Sequence, residues 1–471
     1  MNGGDRNRGG LEIPRHAGMR RLILLGICAA LLSGIPFLGK PFHIDDVHFL
    51  SVAERIGTAP LDPYGFEIHW TDDPESIFKT WNPPLLSYWL APWVAAFGRN
   101  EIALHTAVLP FLALFGGAAG ALAGRFSRGS PWAALFPVLG PAVLVSGNVM
   151  LDIPAAGLGA AAVALVVLGT DRGRRPLVLG GGILAAFALL TKYSSAAILP
   201  MIFLYPLIGR GRGRGNAFLA VLPALLLLAL WSAQNVVAHG EIHALHLLGR
   251  RTGETWIRSP LEKARLGVAA LGATFFLAPL LLARDLGDRR WKAAGSAVAA
   301  GLIVALGFRG ASPGGGGPFS LLATASGGAL LFLVFTRGAP AEDRRDRALL
   351  LYWAAAPLLF SAFFAPFQAV RHLVPALVPL SLLAFSTGSP RGKGGTFAAA
   401  LVLAFQAGAG VIVGTADAEQ AGVYRTFARE EIPRLDREGV EVWFAGHWGW
   451  QHYAEDAGLT AITMSGRGPA L

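Results

Sequence analysis

Thirteen apolar runs follow one another along the chain, most of them joined by short basic connections. They cover residues 22–39, 101–124, 131–149, 153–170, 177–191, 195–209, 216–237, 265–284, 293–308, 318–336, 348–366, 373–388 and 396–414. A helix needs about 20 residues to cross the hydrocarbon core of a bilayer. The pattern predicts an all-α polytopic membrane protein with about 11–13 transmembrane helices. The runs 177–191 and 195–209 are short. They predict a hairpin deep in the bundle, with the Thr191–Ser194 turn below the membrane surface.

Three polar stretches interrupt the rhythm. Residues 40–100 predict a long first extracytoplasmic loop. Residues 415–471 predict a small C-terminal α/β lobe with a strand-like run at Val440–Phe444. Residues 238–264 predict an amphipathic helix at the interface. The domain plan is therefore a cytoplasmic tail over 1–21, a transmembrane domain over 22–414 and the lobe over 415–471. Gly314–Gly317 reads as a flexible loop. Gly157-Leu-Gly159 resembles part of a nucleotide fingerprint but lies inside an apolar run, where close helix packing explains it.

Composition changes the picture in one respect. The chain has 471 residues, of which 53% are hydrophobic and only 15% charged, with a mean hydropathy of +0.50. So few charges cannot cover a water-soluble body of this size. The net charge of +10 does not indicate nucleic acid, because the basic residues sit in short clusters between apolar runs. With the N-terminus cytoplasmic, 23 of the 40 basic residues and only 8 of the 30 acidic ones fall inside. An odd number of spans then places the C-terminus outside. Arg20–Leu38 resembles a signal sequence, but with many spans following it reads as an uncleaved first span. The single cysteine, Cys28, excludes an internal disulfide and a cysteine-based metal site. Abundant Ala, Gly and Arg point to a GC-rich prokaryotic source and hence to the bacterial inner membrane.

The candidate chemistry gathers on the outside. Ten of the eleven histidines fall there by this topology. His43-Ile-Asp45-Asp46-Val-His48 follows the first span. Its carboxylates read either as a general base beside a metal ligand or as a solvated helix cap. Trp81-Asn82-Pro83-Pro84 leads into an apolar segment containing Tyr88, read as a substrate loop or as a structural turn with interface aromatics. Asp152 opens the fourth run and either serves a site or caps its helix. Lys192 either binds a phosphate or extends to the interface. Arg371 and His372 stand at the outer end of a run, where a planar guanidinium suits a phosphate or simply anchors the helix. Gly446-His447-Trp448-Gly in the tail reads as a sugar-stacking surface or as ordinary packing.

In order along the chain, these elements resemble the GT-C superfamily of membrane glycosyltransferases. The nearest likeness is the bacterial family 39 type, related to protein O-mannosyltransferases and aminoarabinose transferases. The resemblance rests on Asp45-Asp46, Pro83-Pro84, Met150-Leu-Asp152-Ile-Pro154, Thr191-Lys192-Tyr193, Arg371-His372-Leu-Val-Pro375 and Gly446-His447-Trp448-Gly. It implies transfer of a sugar, with inversion, from a polyprenyl-phosphate donor to a hydroxyl of a glycan, lipid or protein acceptor at the outer face. Asp45 maps to the base, and Asp46 and Asp152 to its catalytic partners. Lys192, Arg371 and His372 map to the donor phosphate, and Asn82, Pro83, Pro84, Tyr88, His447 and Trp448 to the substrate surface. A divalent metal (Mg, Mn or Zn) would have Asp46, Asp152, His43 and His48 as ligands. The chain departs from the pattern at Asn82, where the aminoarabinose transferases carry lysine, and at His372, where tyrosine is usual. A lipid or small-molecule transporter and an envelope scaffold are the competing readings. The first lacks the expected internal repeat, and the second would tolerate Asp45→Asn.

Overall fold

The computed structural model describes residues 16–69, 73–79, 82–208, 216–246, 259–284, 317–336, 344–390 and 392–462. They are almost all helical. In chain order the first helices are α1 (His16–Gly34), α2 (Asp46–Thr58), α3 (Leu85–Phe97) and α4 (Glu101–Phe126). Next come α5 (Pro131–Leu135), α6 (Pro141–Val145), α7 (Asp152–Asp171), α8 (Arg175–Thr191), α9 (Leu199–Ile208) and α10 (Ala217–His239). The series ends with α11 (Pro260–Thr274), α12 (Ala278–Arg284), α13 (Pro318–Thr336), α14 (Arg344–Phe363), α15 (Val374–Ala384), α16 (Gly392–Arg437) and α17 (Trp448–Asp456).

Among the described residues, six helices are long and apolar enough to cross a membrane: Gly18–Phe37, α4, α7, α10, α13 and α16. Four shorter apolar helices accompany them, at Leu85–Phe97, Arg175–Thr191, Tyr193–Ile208 and Val370–Ala384. This is an integral membrane protein. The most apolar window of α7 is 94% buried, whereas that of α10 is 17% buried. Helix α7 is therefore the central post, and α10 turns leucines such as Leu225, Leu226 and Leu230 outward to the lipid.

Close helix approach is written in small residues. At the α1–α4 crossing, a Cβ on Gly26 would lie 2.0 Å from the Gly116 carbonyl oxygen, and one on Gly116 would lie 2.2 Å from that of Gly26. Gly116 and Gly120 have the four-residue spacing that lets membrane helices touch backbone to backbone. Gly157 likewise meets the Phe111 carbonyl of α4, so the Gly157-Leu-Gly159 pattern serves packing.

Several apolar runs are not single helices. Residues 131–149 form α5 and α6, with a break at Gly140-Pro141. Pro141 has no N–H to continue the ladder, and Gly140 is extended at φ −141°. Gln406 from α16 donates to the freed carbonyls of Phe136 (2.7 Å) and Leu139 (3.2 Å). The run 265–284 is divided between α11 and α12. The runs 177–191 and 195–209 form α8 and α9, joined through a 3-10 turn at Tyr193–Ile198, but the expected hairpin is not closed: each helix packs on α7 and α10 rather than on the other. The predicted span 293–308 and residues 247–258 of the predicted helix 238–264 lie outside the described residues.

The first loop holds α2, a two-stranded antiparallel sheet and α3. The strands β1 (Glu67–His69) and β2 (Pro74–Ser76) pair with Ile68 opposite Glu75. Helix α16 runs unbroken through residues 414 and 415, where the tail lobe was expected to begin. The lobe proper is β3 (Trp443–Phe444), α17 and β4 (Thr460–Ala461), with the strands paired in parallel.

The two ends of the bundle differ. At the end of α7 carrying Asp171, Arg125 of α4 bonds Asp171 (2.5 Å), Asp346 of α14 (2.8 Å) and the Tyr205 hydroxyl of α9 (3.2 Å). These residues border basic connections. The end carrying Asp152 is where the candidate chemistry meets.

Candidate active site

Each charged group at that end owes its place to a helix terminus. Asp152 is the first residue of α7, and Pro154 sits in the same first turn, where a missing N–H costs nothing. Lys192 ends α8 in extended conformation at φ −152°, and its N–H still bonds Ala188 (2.9 Å). Arg371 and His372 lie in a 3-10 turn over Val370–Leu373, anchored by fully buried Leu373 and leading into α15. Asp45 immediately precedes α2.

Asp45, Asn82, Asp152, Lys192, Arg371 and His372 line one cavity. Within it the charges interlock. Lys192 Nζ donates to Asp152 Oδ1 at 2.6 Å. Arg371 Nη2 donates to Asp45 Oδ2 at 3.3 Å, and its Nε lies 3.6 Å from Asp152 Oδ2. Arg371 therefore bridges the two acids, and two carboxylates face two cations. Burial raises the Asp45 carboxyl to about 6, against the opposing pull of Arg371. Much of the remaining lining is apolar, with α14 contributing Trp353, Pro357 and Phe360, and α7 contributing Ala155, Ala156 and Gly159. The Phe367 ring lies under the Arg371 guanidinium at 5.6 Å.

A second, smaller pocket adjoins the first and shares Asp45, Phe49 and Asn82 with it. Pro83, Pro84 and His48 line this second pocket, together with Tyr64 and Ile77. The Tyr64 hydroxyl donates to the Asn82 carbonyl at 2.5 Å and fixes the loop before the paired prolines. Burial lowers His48 to about 4, which keeps its ring neutral near pH 7.

Several expected site residues lie elsewhere. Asp46 is fully buried beside Asp45 but lines neither cavity; its Oδ2 accepts from the His43 N–H at 2.8 Å. Its carboxyl is raised to about 7, chiefly by burial. The His43 ring, lowered by burial, lies 3.7 Å from Asp417 of α16. Tyr88 is partly exposed and donates to the Pro60 carbonyl at 2.5 Å. His447 and Trp448 lie at the start of α17 and line neither cavity. Among the described residues, no group of three or more His, Cys, Asp or Glu side chains is gathered that could hold a metal ion. His43, Asp46, His48 and Asp152 are thus not a ligand set, and the Asp152 carboxylate is already paired with Lys192.

The sequence reading missed a buried group near Asp46. Lys40 Nζ donates to Asn148 Oδ1 at 2.5 Å and pairs with Asp417. A lysine directly after the first span was a visible signal, but its partner lies 377 residues away. Lys263 of α11 is fully buried and donates to the Ala365 carbonyl at 2.6 Å, holding the cavity wall that precedes Arg371.

No family model matches the chain, and no curated protein matches it. Solved structures do. The oligosaccharyltransferase of Archaeoglobus fulgidus, captured with a tethered acceptor peptide containing the NVT sequon, superposes with a TM-score of 0.52 at 14% identity. The chain has the GT-C fold. The match covers 95% of this chain and 64% of the oligosaccharyltransferase, so the chain spans less than two-thirds of that enzyme. ArnT from Cupriavidus metallidurans also matches, in the apo state (TM-score 0.44, 16% identity) and bound to undecaprenyl phosphate (0.45, 14%). Both matches cover 95% of this chain, and they cover 90% and 85% of ArnT respectively. Within the GT-C fold of this chain, the cavity stands at the joint of the first loop, α7, α8 and α15.

Proposed function

We propose that the protein is a glycosyltransferase of family 39 type in the bacterial inner membrane. It moves a sugar from a polyprenyl-phosphate carrier to an acceptor hydroxyl at the extracytoplasmic face. The observation that carries this reading is the single cavity lined both by Asp45, Lys192 and Arg371 and by an apolar wall from α7 and α14. The apolar wall suits a prenyl chain entering from the lipid, and the cations suit its phosphate.

The chemistry follows from the charges. Asp45 takes the proton of the acceptor hydroxyl, whose oxygen attacks C1 of the sugar from the face opposite the phosphate. The C1–O bond breaks, its electron pair passes to the phosphate oxygen, and the configuration at C1 inverts. Lys192 and Arg371 meet the charge that grows on the leaving phosphate. Asp152 holds both cations in position. Arg371 also couples the two halves of the reaction. It depresses the Asp45 carboxyl while it lies against it. A phosphate that draws Arg371 away leaves Asp45 a stronger base just as the donor is seated.

The test is transfer from a panel of radiolabelled polyprenyl-phosphate sugars by purified protein, wild type beside Asp45→Asn. The expected result is turnover by the wild type and a loss of about 10²–10⁴-fold in the variant. Absence of both donor binding and turnover across the panel would move the assignment to a transporter.

A further inference from the structure

Asp45 and Asp46 are neighbours in sequence, yet only Asp45 reaches the cavity. The backbone just before them explains how. Ile44 has φ +49°, in the left-handed region that a β-branched residue rarely enters. Such a conformation persists only where the surroundings over-determine it. Here they do, from two directions. Asp46 closes the turn from within: its carboxylate accepts the His43 N–H at 2.8 Å, and its own N–H donates to the His43 carbonyl at 3.2 Å.

The second hold comes from the C-terminal lobe, 411 residues along the chain. The Tyr453 hydroxyl accepts the Phe42 N–H at 2.8 Å and donates to Glu101 at 2.6 Å, and Glu101 is paired with Arg425. The backbone of α17 presses on the same residue. A Cβ on Gly449 would lie 2.3 Å from the Phe42 carbonyl oxygen. The Phe42 ring is fully buried, edge-on to His452 at 5.1 Å.

We propose that the C-terminal lobe positions the catalytic base. Asp46 and Tyr453 are positioning residues that hold Ile44 left-handed and so turn Asp45 into the cavity. This rests on the reading of Asp45 as the base, and it gives the lobe a role other than binding sugar through His447 and Trp448.

The experiment compares Tyr453→Phe with Tyr453→Phe/Ile44→Gly in the full-length protein. Phenylalanine keeps the ring but cannot accept the Phe42 N–H. The expected effect is a fall in kcat on the order of 10²-fold, the scale of a misplaced reacting group, with the donor KM unchanged. Glycine adopts a positive φ without strain, so Ile44→Gly should restore most of the lost kcat. A merely structural tyrosine would lower the yield of folded protein, and Ile44→Gly would not repair that. Amide hydrogen exchange gives a reading independent of turnover. The Asp46 and His48 amides should exchange faster in Tyr453→Phe and return to the wild-type rate in the double variant. Unchanged exchange, or no rescue by glycine, overturns the proposal. Wild-type protein that turns over no donor would instead count against Asp45 as the base, and exchange would still decide the role of the lobe.

Discussion

Asp45 is competent as a base only when ionised, and its carboxyl stands near 6 rather than near 4. The expected profile of kcat/KM therefore falls as pH drops through about 6, because protonation removes the base. Arg371 works against that rise, so Arg371→Gln should move the acidic limb to higher pH as well as lower the rate. Arg371→Lys keeps a charge but not the fork that reaches Asp45 and Asp152 together. It should lose roughly 10–10²-fold in turnover, because the two side chains are not interchangeable at a bridging site. Rate against pH for the three proteins checks both expectations. At this scale the sequence was informative about identity and silent about direction. Asp45, Asp152, Lys192 and Arg371 each stood out as a charge beside an apolar run, where an unpaired ion is costly. That Asp46 faces away from the cavity depends on the φ of Ile44. That value is set by a tyrosine at the far end of the chain, and no local pattern carries it.

Helices were legible as apolar runs, because each must be long and apolar enough to stand in lipid. Breaks within runs were less so. The division of 131–149 at Gly140-Pro141 was written in the two residues themselves. A long apolar run hid it, since hydropathy is blind to a missing N–H. Close packing is the strongest claim at this scale. Gly26 and Gly116 have no room for a side chain. Gly116→Leu should therefore cost at least the 1–3 kcal/mol of an overpacked core, read as a lower melting temperature in detergent. Gly18→Leu on the same helix pair should cost almost nothing, because a Cβ there meets nothing within 4 Å.

For the whole molecule, the charge asymmetry predicts which end faces the cytoplasm. In a Cys28→Ser background, Arg174→Cys should be labelled only from the inside and Glu438→Cys only from the outside of intact cells. Labelling of both from one side would invert or break the topology. Removing residues 440–471 should leave a folded bundle that still binds a polyprenyl-phosphate donor and turns it over slowly. A lobe that bound the sugar would instead carry donor affinity away with it. Donor binding and turnover measured on the truncated protein separate the two. The order of motifs along the chain made the architecture readable. The contacts between first loop and tail were not readable, because they join residues hundreds of positions apart.

Helix α16 is 46 residues long, or about 70 Å at 1.5 Å per residue. The hydrocarbon core needs less than half of that. One rod therefore crosses the bilayer and stands well clear of it. It carries Asp417, the partner of Lys40, partway up and leads into the small lobe at its top. Spans tilt to match the thickness of their membrane, and a long rod magnifies a small tilt at its free end. The acyl-chain length of the surrounding lipid thus reaches the first loop mechanically, through the lean of a single mast. Detergent micelles and bilayers of different thickness should not be treated as equivalent supports for this protein.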